Sequence, residues 1–170
     1  MNNLFFSFIR SPGVKITLPE LRGLYLSGAS EGNVTGFKSS QDFDLTLSGA
    51  SELNMDMETG NFLCEISGAS EVTGYLKASS SDIVLSGASK IRVNGSGGDI
   101  KIDASGASQV DLANFNVNNA DISFSGASDG SLNINGRLDA VLSGASFLEY
   151  SGNPTLGNFN LTGGSDLKRR

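Results

Sequence analysis

The sequence contains no histidine and no tryptophan, and Cys64 is its single cysteine. Without histidine, the chain cannot form a Ser-His or Cys-His catalytic pair, a His-ligated metal site or a histidine pH switch. One cysteine cannot form an internal disulfide, so cysteine content does not indicate a redox compartment. Basic residues are few, since 12 Lys and Arg against 18 Asp and Glu give a net charge of −6. This charge disfavours nucleic acid as a partner, because nucleic acid requires clustered Lys and Arg.

Proline is also rare, with 3 residues, while glycine is abundant, with 22. Apolar residues make up 38% of the 170 residues, which is enough to bury the core of one ordered domain. The N-terminal apolar segment, Leu4–Phe6 with Phe8 and Ile9, is too short for a secretory signal or a membrane span. We therefore expect no signal peptide in this chain and no membrane insertion.

A four-residue motif, Ser-Gly-Ala-Ser, recurs along the chain and ends in the variant Thr162-Gly163-Gly164-Ser165. Its copies begin at Ser27, Ser48, Ser67, Ser86, Ser105, Ser125 and Ser143. Successive copies, including the variant, are 18 to 21 residues apart. A period this constant indicates stacked, structurally equivalent units.

The residues that flank the motif alternate between apolar and polar. Apolar residues stand one and three positions before it, as in Leu45 and Leu47 or Ile83 and Leu85. The position between them is mixed, and contains Tyr25, Thr46, Glu65, Val84, Asp103, Ser123, Val141 and Asn160. A period of two predicts a strand before the motif. A second strand follows it, with inward Leu53, Val72, Ile91, Val110, Leu148 and Leu167, and glycine gaps at Gly32 and Gly130.

No segment has a helical period of useful length, so the pattern predicts an all-β chain. Each unit is interpreted as one coil of a β-solenoid, a β-helix of about eight coils with roughly 19 residues each. We expect residues 22–168 to form these coils as one domain and residues 1–21 to form an N-terminal cap. Stacked about 4.8 Å apart, the coils would form a rod roughly 35 to 40 Å long.

The motif itself is interpreted as the corner between the two strands of a coil. Its glycine can adopt a positive φ, and its alanine is small enough for a tight bend. The stacked serines are expected to form hydroxyl ladders between coils that satisfy the backbone groups of the corner.

The repeated Leu-Ser-Gly-Ala-Ser pattern, preceded by Val14–Leu21 and followed by Tyr150–Pro154, resembles the head GIN domain family of auto-transporter adhesins. The resemblance covers roughly residues 12–168, and the repeat is its specific part. It implies a bacterial, usually exported, right-handed parallel β-helix without an established activity. It implies no catalytic residues.

No catalytic or cofactor-binding residues are expected. The many serines lack a histidine base, and eight equivalent copies of the motif are typical of architecture rather than of an active site. Glycoside cleavage requires a pair of carboxylates, and Asp42 with Asp44 and Asp99 with Asp103 are candidate pairs, but no basic or aromatic sugar platform accompanies them. Cys64 occupies an inward position and is interpreted as a core residue.

Two acidic columns are the remaining candidates. Glu31, Glu52 and Glu71 directly follow three consecutive motifs and form a possible metal-binding ladder, although a solvated acidic face is the favoured interpretation. Stacked about 4.8 Å apart, their charges would repel by roughly 1 kcal/mol in water. The second column stands four positions before the motif and contains Asp44, Asp82, Asp121 and Asp139.

The sequence therefore predicts a non-enzymatic bacterial surface or periplasmic module, used as an adhesin or as a rigid structural or binding domain. A carbohydrate-active protein, which binds or cleaves polysaccharide, is the alternative. Ice binding is disfavoured because the outward column lacks matched Thr or Ser. The expected partners are a carbohydrate or another surface protein. We also expect self-association through the N-terminal end, where a terminal coil would present unpaired strand edges.

Overall fold

The computed structural model describes residues 3–8 and 11–170, with side chains from residue 13 onward. These residues form strands and turns only, and they include no helix that could cross a membrane. Residues 1, 2, 9 and 10 of the expected N-terminal cap lie outside the described residues.

The strands follow one another in pairs separated by the motif. In chain order they are β1 (Asn3–Phe8), β2 (Ser11–Ile16), β3 (Gly23–Leu26), β4 (Glu31–Lys38), β5 (Phe43–Leu47), β6 (Glu52–Glu58), β7 (Asn61–Ile66), β8 (Glu71–Lys77), β9 (Ser80–Leu85), β10 (Lys90–Ser96), β11 (Asp99–Ala104), β12 (Gln109–Val117), β13 (Ala120–Phe124), β14 (Asp129–Ile134), β15 (Arg137–Leu142), β16 (Phe147–Gly152), β17 (Thr155–Leu161) and β18 (Asp166–Arg169). The strands are short because each one spans a single face of a coil and ends where the chain turns into the next face.

Two sheets enclose the core. Sheet A has ten described strands in the order β18-β16-β14-β12-β10-β8-β6-β4-β1-β2, and sheet B has eight in the order β17-β15-β13-β11-β9-β7-β5-β3. Each coil gives an odd-numbered strand to sheet B and the next even-numbered strand to sheet A. Neighbouring strands from β3 to β18 are parallel within their sheet. This arrangement confirms the predicted β-solenoid of about eight coils.

The predicted inward columns form the core between the sheets. Ile83 is 1% exposed while its neighbour Val84 is 40% exposed, so the predicted strand register is confirmed. The two glycine gaps are filled by neighbours, because a Cβ at Gly130 would lie 2.5 Å from the Phe124 ring and one at Gly32 would lie 3.0 Å from Leu26 and Leu53. At the last coil, Leu161 is 41% exposed, since no described strand follows β17 in sheet B.

Each corner depends on a backbone contact between successive glycines. Gly87 has a φ of +78°, and a Cβ there would lie 2.6 Å from the carbonyl oxygen of Gly68. The amide of the following Ala88 donates a 2.8 Å hydrogen bond to that same oxygen. The expectation that the motif glycine needs a positive φ and a close backbone approach is confirmed.

The corner serines differ in detail from the expected ladder between hydroxyls. Ser51 is fully buried, and its hydroxyl donates to the Ser48 carbonyl within the same corner at 2.9 Å. Ser67 instead donates to the Leu47 carbonyl of the preceding coil at 3.3 Å. Hydroxyls do approach each other between Ser89 and Ser108, at 3.4 Å. Backbone carbonyls are the main acceptors because they are the groups that the corner leaves outside the sheets.

The N-terminal strands form an antiparallel hairpin at the end of sheet A. β1 pairs with β4 on one side and with β2 on the other, both antiparallel. The edge of β4 is therefore covered, and β2, which pairs only with β1 among the described strands, is the outer strand of sheet A. In sheet B, by contrast, β3 is the last described strand and pairs only with β5.

The two sides of β9 are expected to respond differently to a charge. Ile83→Asp buries an unpaired carboxylate and should lower the free energy of unfolding by more than about 3 kcal/mol, whereas Val84→Asp should cost less than about 1 kcal/mol. Urea denaturation of both variants measures the difference. Equal losses would contradict the register.

Two glycines with the same φ allow the energetic cost of the corner contact to be measured separately from the cost of backbone strain. Gly28→Ala meets no atom within 4 Å and has a φ of +78°, so it should cost only the left-handed strain, about 1 to 2 kcal/mol. Gly87→Ala adds the collision with the Gly68 carbonyl and should cost about 2 kcal/mol more. Thermal unfolding of the two variants tests this, and similar losses would show that the close approach is unimportant.

Candidate functional site

An elongated hollow lies on the outer face of sheet B, beside the corner opposite the motif. This surface, the sheet-B groove, crosses β7, β9, β11, β13 and β15 and has a volume of about 550 Å³. Sheet B registers without a shift across these five strands, so equivalent residues stand in straight columns. The groove is lined by Asn61, Phe62, Leu63, Ser80, Ser81, Asp82, Asp99, Ile100, Lys101, Asn119, Ala120, Asp121 and Asp139.

One edge of the groove is a ladder of short polar side chains at the starts of the strands. Ser80 donates to the Asn61 side chain at 2.7 Å, and Asn119 donates to Asp99 at 2.8 Å. The Asn119 oxygen in turn accepts the backbone amide of Arg137 at 2.9 Å. These hydrogen bonds link the side chains to one another and to the turn backbone, so they fix the positions of the polar groups along this edge.

The second column of the groove carries most of its charge. It consists of Leu63, Asp82, Lys101, Asp121 and Asp139, each registered with the next along the sheet. Lys101 lies between two aspartates in this column and forms an ion pair with Asp103 at 3.1 Å. The hydrogen bond to Asp103, followed by the charges of Asp103 and Asp82, raises the pKa of Lys101.

Asp139 closes one end of this column. Arg137 contacts it with two nitrogens, at 2.6 and 2.8 Å, and the Asn158 amide donates to it at 2.7 Å. The hydrogen bond from Arg137, and then that from Asn158, lowers the pKa of Asp139 to about 2. Asp139 is therefore ionised at neutral pH and already occupied by its partners.

Asp82 and Asp121 differ from Asp139. Both are exposed, and among the described residues neither carboxylate has a hydrogen-bond or ion-pair partner. They stand on either side of Lys101, two strand spacings or about 10 Å apart. Together with the exposed Leu63, these groups offer acceptors, one donor and a small apolar contact to a ligand from solvent.

Neither Asp42 with Asp44 nor Asp99 with Asp103 forms a pair of closely spaced, free carboxyl groups. Asp99 and Asp103 are four residues apart on β11, a separation of about 13 Å that exceeds the usual range for such enzymes. Asp42 accepts a hydrogen bond from the backbone amide of Asn61 at 2.8 Å, so its carboxylate caps a turn. Asp44 lies on the exposed side of β5, outside the groove lining.

The three glutamates of the predicted ladder do stack on consecutive strands of sheet A. Glu31 registers with Glu52, and Glu52 with Glu71. Lys90 stands at the next position and lies 3.9 Å from Glu71. A smaller hollow of about 220 Å³ lies beside them. The described residues include no group of three or more carboxylate or thiol side chains arranged to hold a metal ion.

Cys64 lies in the core, 1% exposed, as its inward position predicts. Burial raises the pKa of its thiol, which keeps it in the unreactive protonated form.

The sequence singled out the aspartates of the groove but missed its other members. The column four positions before the motif contains Leu63 and Lys101 as well as Asp82, Asp121 and Asp139. Leu63 and Lys101 were therefore indicated by the column as a whole, although not by its acidic members. Asn61 and Asn119 belong to the second corner, whose sequence varies from coil to coil and has no motif to align it.

Comparison with known proteins gives two matches. Residues 57–154 match the family model described as "Putative auto-transporter adhesin, head GIN domain". No curated protein matches the chain. A crystal structure of a "Putative lipid binding protein from Parabacteroides distasonis ATCC 8503" is similar, with a TM-score of 0.84 and 14% sequence identity. The similarity covers 89% of this chain and 62% of that one, so it shows a shared fold over part of the longer protein.

The glutamate ladder gives a test of cation binding. We expect calcium chloride to raise the melting temperature no more than sodium chloride at equal ionic strength, because both would then only screen the stacked charges. Glu52→Gln should remove the central repulsion and reduce this salt dependence. A larger gain with calcium at low concentration, lost in Glu52→Gln, would instead establish a specific site.

Proposed function

Since the chain belongs to the head GIN domain family, we propose that it is a non-enzymatic binding module of the bacterial cell surface or periplasm. Its solenoid is the rigid support, and the sheet-B groove is the surface that contacts the ligand. The observation that carries this proposal is the pair of unpartnered carboxylates, Asp82 and Asp121, held at a fixed spacing in an elongated groove. Pre-organised polar groups in a concave surface are typical of ligand sites.

A carbohydrate with neutral or amino sugars fits this groove best. Carboxylates accept hydrogen bonds from sugar hydroxyls and attract protonated amines, while Lys101 can donate to ring or hydroxyl oxygens. Leu63, 47% exposed, offers a small apolar contact at one end. Four aspartates against one lysine in the lining disfavour uronate-containing or sialylated glycans, because like charges repel.

Binding without cleavage is favoured over a carbohydrate-active enzyme. Glycoside hydrolases need two carboxyl groups about 5 to 9.5 Å apart, one of which must act as the acid. Asp82 and Asp121 stand two strand spacings apart, about 10 Å, with Lys101 between them, which is beyond that range. Asp99 and Asp139 lie closer to them in the groove, but Asn119 already donates to Asp99, and Arg137 and Asn158 already donate to Asp139.

Lipid is the other ligand class to compare, since the similar solved structure is called a lipid binding protein. An anionic headgroup would meet the same aspartates that disfavour acidic glycans. The core beneath the groove is filled by side chains such as Phe43 and Phe62, whose rings stack 6.2 Å apart, so an acyl chain would need to displace them.

A glycan array probed with the labelled chain tests the proposal. We expect hits among neutral or amino-sugar oligosaccharides and none among acidic ones. Asp82→Asn combined with Asp121→Asn should weaken the best hit at least tenfold by calorimetry, since losing a charged hydrogen bond costs about 1.5 kcal/mol or more.

The matched control is Asp56→Asn with Asp129→Asn, which removes the same charge from exposed positions on sheet A and should leave affinity unchanged. Equal weakening in both double variants, or an array without hits, would contradict the groove as a glycan site. Shortened products in the mass spectrum of an incubated hit would favour the enzymatic alternative. Binding to anionic vesicles in preference to glycans would favour a lipid ligand.

A further inference from the structure

The two sheets end at different levels at the N-terminal end of the solenoid. β3 and β4 belong to the first coil, and in sheet A the strands β1 and β2 continue beyond β4. Sheet B has no described strand beyond β3. Sheet A therefore overhangs sheet B by two strands, or about 10 Å.

The overhang carries exposed apolar residues where the core would continue. Val14 registers through β1 with Gly32, and Ile16 registers through β1 with Val34, so both stand in columns that are inward in the coils. They are nevertheless 48% and 36% exposed, because no described strand of sheet B lies opposite them. An apolar face of this kind is a typical protein interaction surface.

Opposite the overhang, the described strands of sheet B end at β3 and leave a notch two strands deep. This notch is apolar as well. Among the described strands β3 pairs only with β5, so no described strand bonds to its other edge, which is a strand edge that another chain could extend. Leu18, Leu21 and Leu24 are partly buried against this end of the core. The outward residue of β3, Tyr25, is 68% exposed.

We propose that a second copy of this chain fills the notch, in a dimer joined at the N-terminal ends. A two-fold axis parallel to the strands would place β1 and β2 of each copy beyond β3 of the other copy. Sheet B, which is two strands shorter than sheet A, would be extended there by those two strands. The ten-strand and eight-strand sheets are complementary in number, so both composite sheets would be continuous. Isologous two-fold interfaces of this kind are the commonest in homo-oligomers.

Strand direction agrees with this arrangement. β2 is antiparallel to β1, and β1 is antiparallel to β4, so β2 runs parallel to the even-numbered strands. The odd-numbered strands return across the coil in the opposite direction. After the two-fold rotation, β2 of one copy lies antiparallel to β3 of the other, the more favourable pairing for a short contact.

The residue pattern agrees as well. Pro12 cannot donate to a neighbouring strand, which leaves Gly13–Ile16 to pair with the equally short Gly23–Leu26. Ile16 would then face Leu24, Val14 would face Leu26, and Lys15 would face Tyr25 on the outer side. All apolar side chains would thus point into the joined core.

Head-to-tail stacking fits this end less well. If β18 of another copy paired with β2, its β17 would stand two strand levels away from β3 and could not bond to it. The dimer is therefore closed, and the chain should not grow into filaments through this end.

Sedimentation velocity of the 170-residue chain over a range of concentrations tests the proposal. We expect a monomer–dimer equilibrium without larger species. Ile16→Asp should shift it at least tenfold toward monomer, whereas Leu161→Asp, which charges an exposed apolar residue at the opposite end, should leave it unchanged. A strict monomer at high concentration, or loss of association in Leu161→Asp alone, would overturn the proposal.

A cross-link keeps the test valid if Ile16→Asp disturbs the hairpin. Lys15→Cys and Tyr25→Cys are made in separate chains, with Cys64 buried and unreactive in both. On mild oxidation the mixed chains should form a disulfide dimer, since paired residues of antiparallel strands lie about 4.5 to 5.5 Å apart. Lys15→Cys mixed with Val141→Cys, an exposed residue of sheet B remote from the end, is the control. Equal cross-linking of both mixtures would overturn the arrangement.

Discussion

The approach of each corner glycine to the carbonyl of the glycine one coil earlier is the constraint on which the rest of the structure depends. The same carbonyl that excludes a side chain at Gly87 accepts the amide of Ala88. Because this contact recurs at every corner after the first, it fixes where each coil begins relative to its neighbour. The straight columns of the core and of the outer faces follow from that alignment.

Most of the register shifts between the described parallel strands lie in sheet A, in the pairs β4–β6, β10–β12 and β12–β14, whereas sheet B has one, in the pair β15–β17. The 21-residue coil after Ser27 carries its irregularity in β4, where the register shifts between Thr35 and Phe37 around Gly36. The strands of sheet B that cross the groove register without a shift. Sheet B is therefore the more regular support, which is why a groove with evenly spaced groups lies there.

Much of the fold could be predicted from the sequence because its determinants are local and repeated. The alternation at Ile83 and Val84 and the glycine of each motif determine the strand register and the corner without knowledge of distant residues. The N-terminal hairpin could not be predicted in this way, because β1 pairs antiparallel with a strand that follows it by more than 20 residues and occurs once. The groove itself was not predicted; the sequence indicated only its aspartates, since its polar edge is formed by a corner without a motif, as at Asn119.

The regular period also has a consequence for how such a protein can change over generations. Because each coil contacts only its neighbours, insertion or deletion of one whole coil, about 19 residues, would leave the contacts within the other coils in place. The inserted coil would find its corner glycine contact already specified by its neighbours, so the molecule would still fold. The groove on sheet B would lengthen or shorten by about 4.8 Å, and ligand length could be selected without any change to the core.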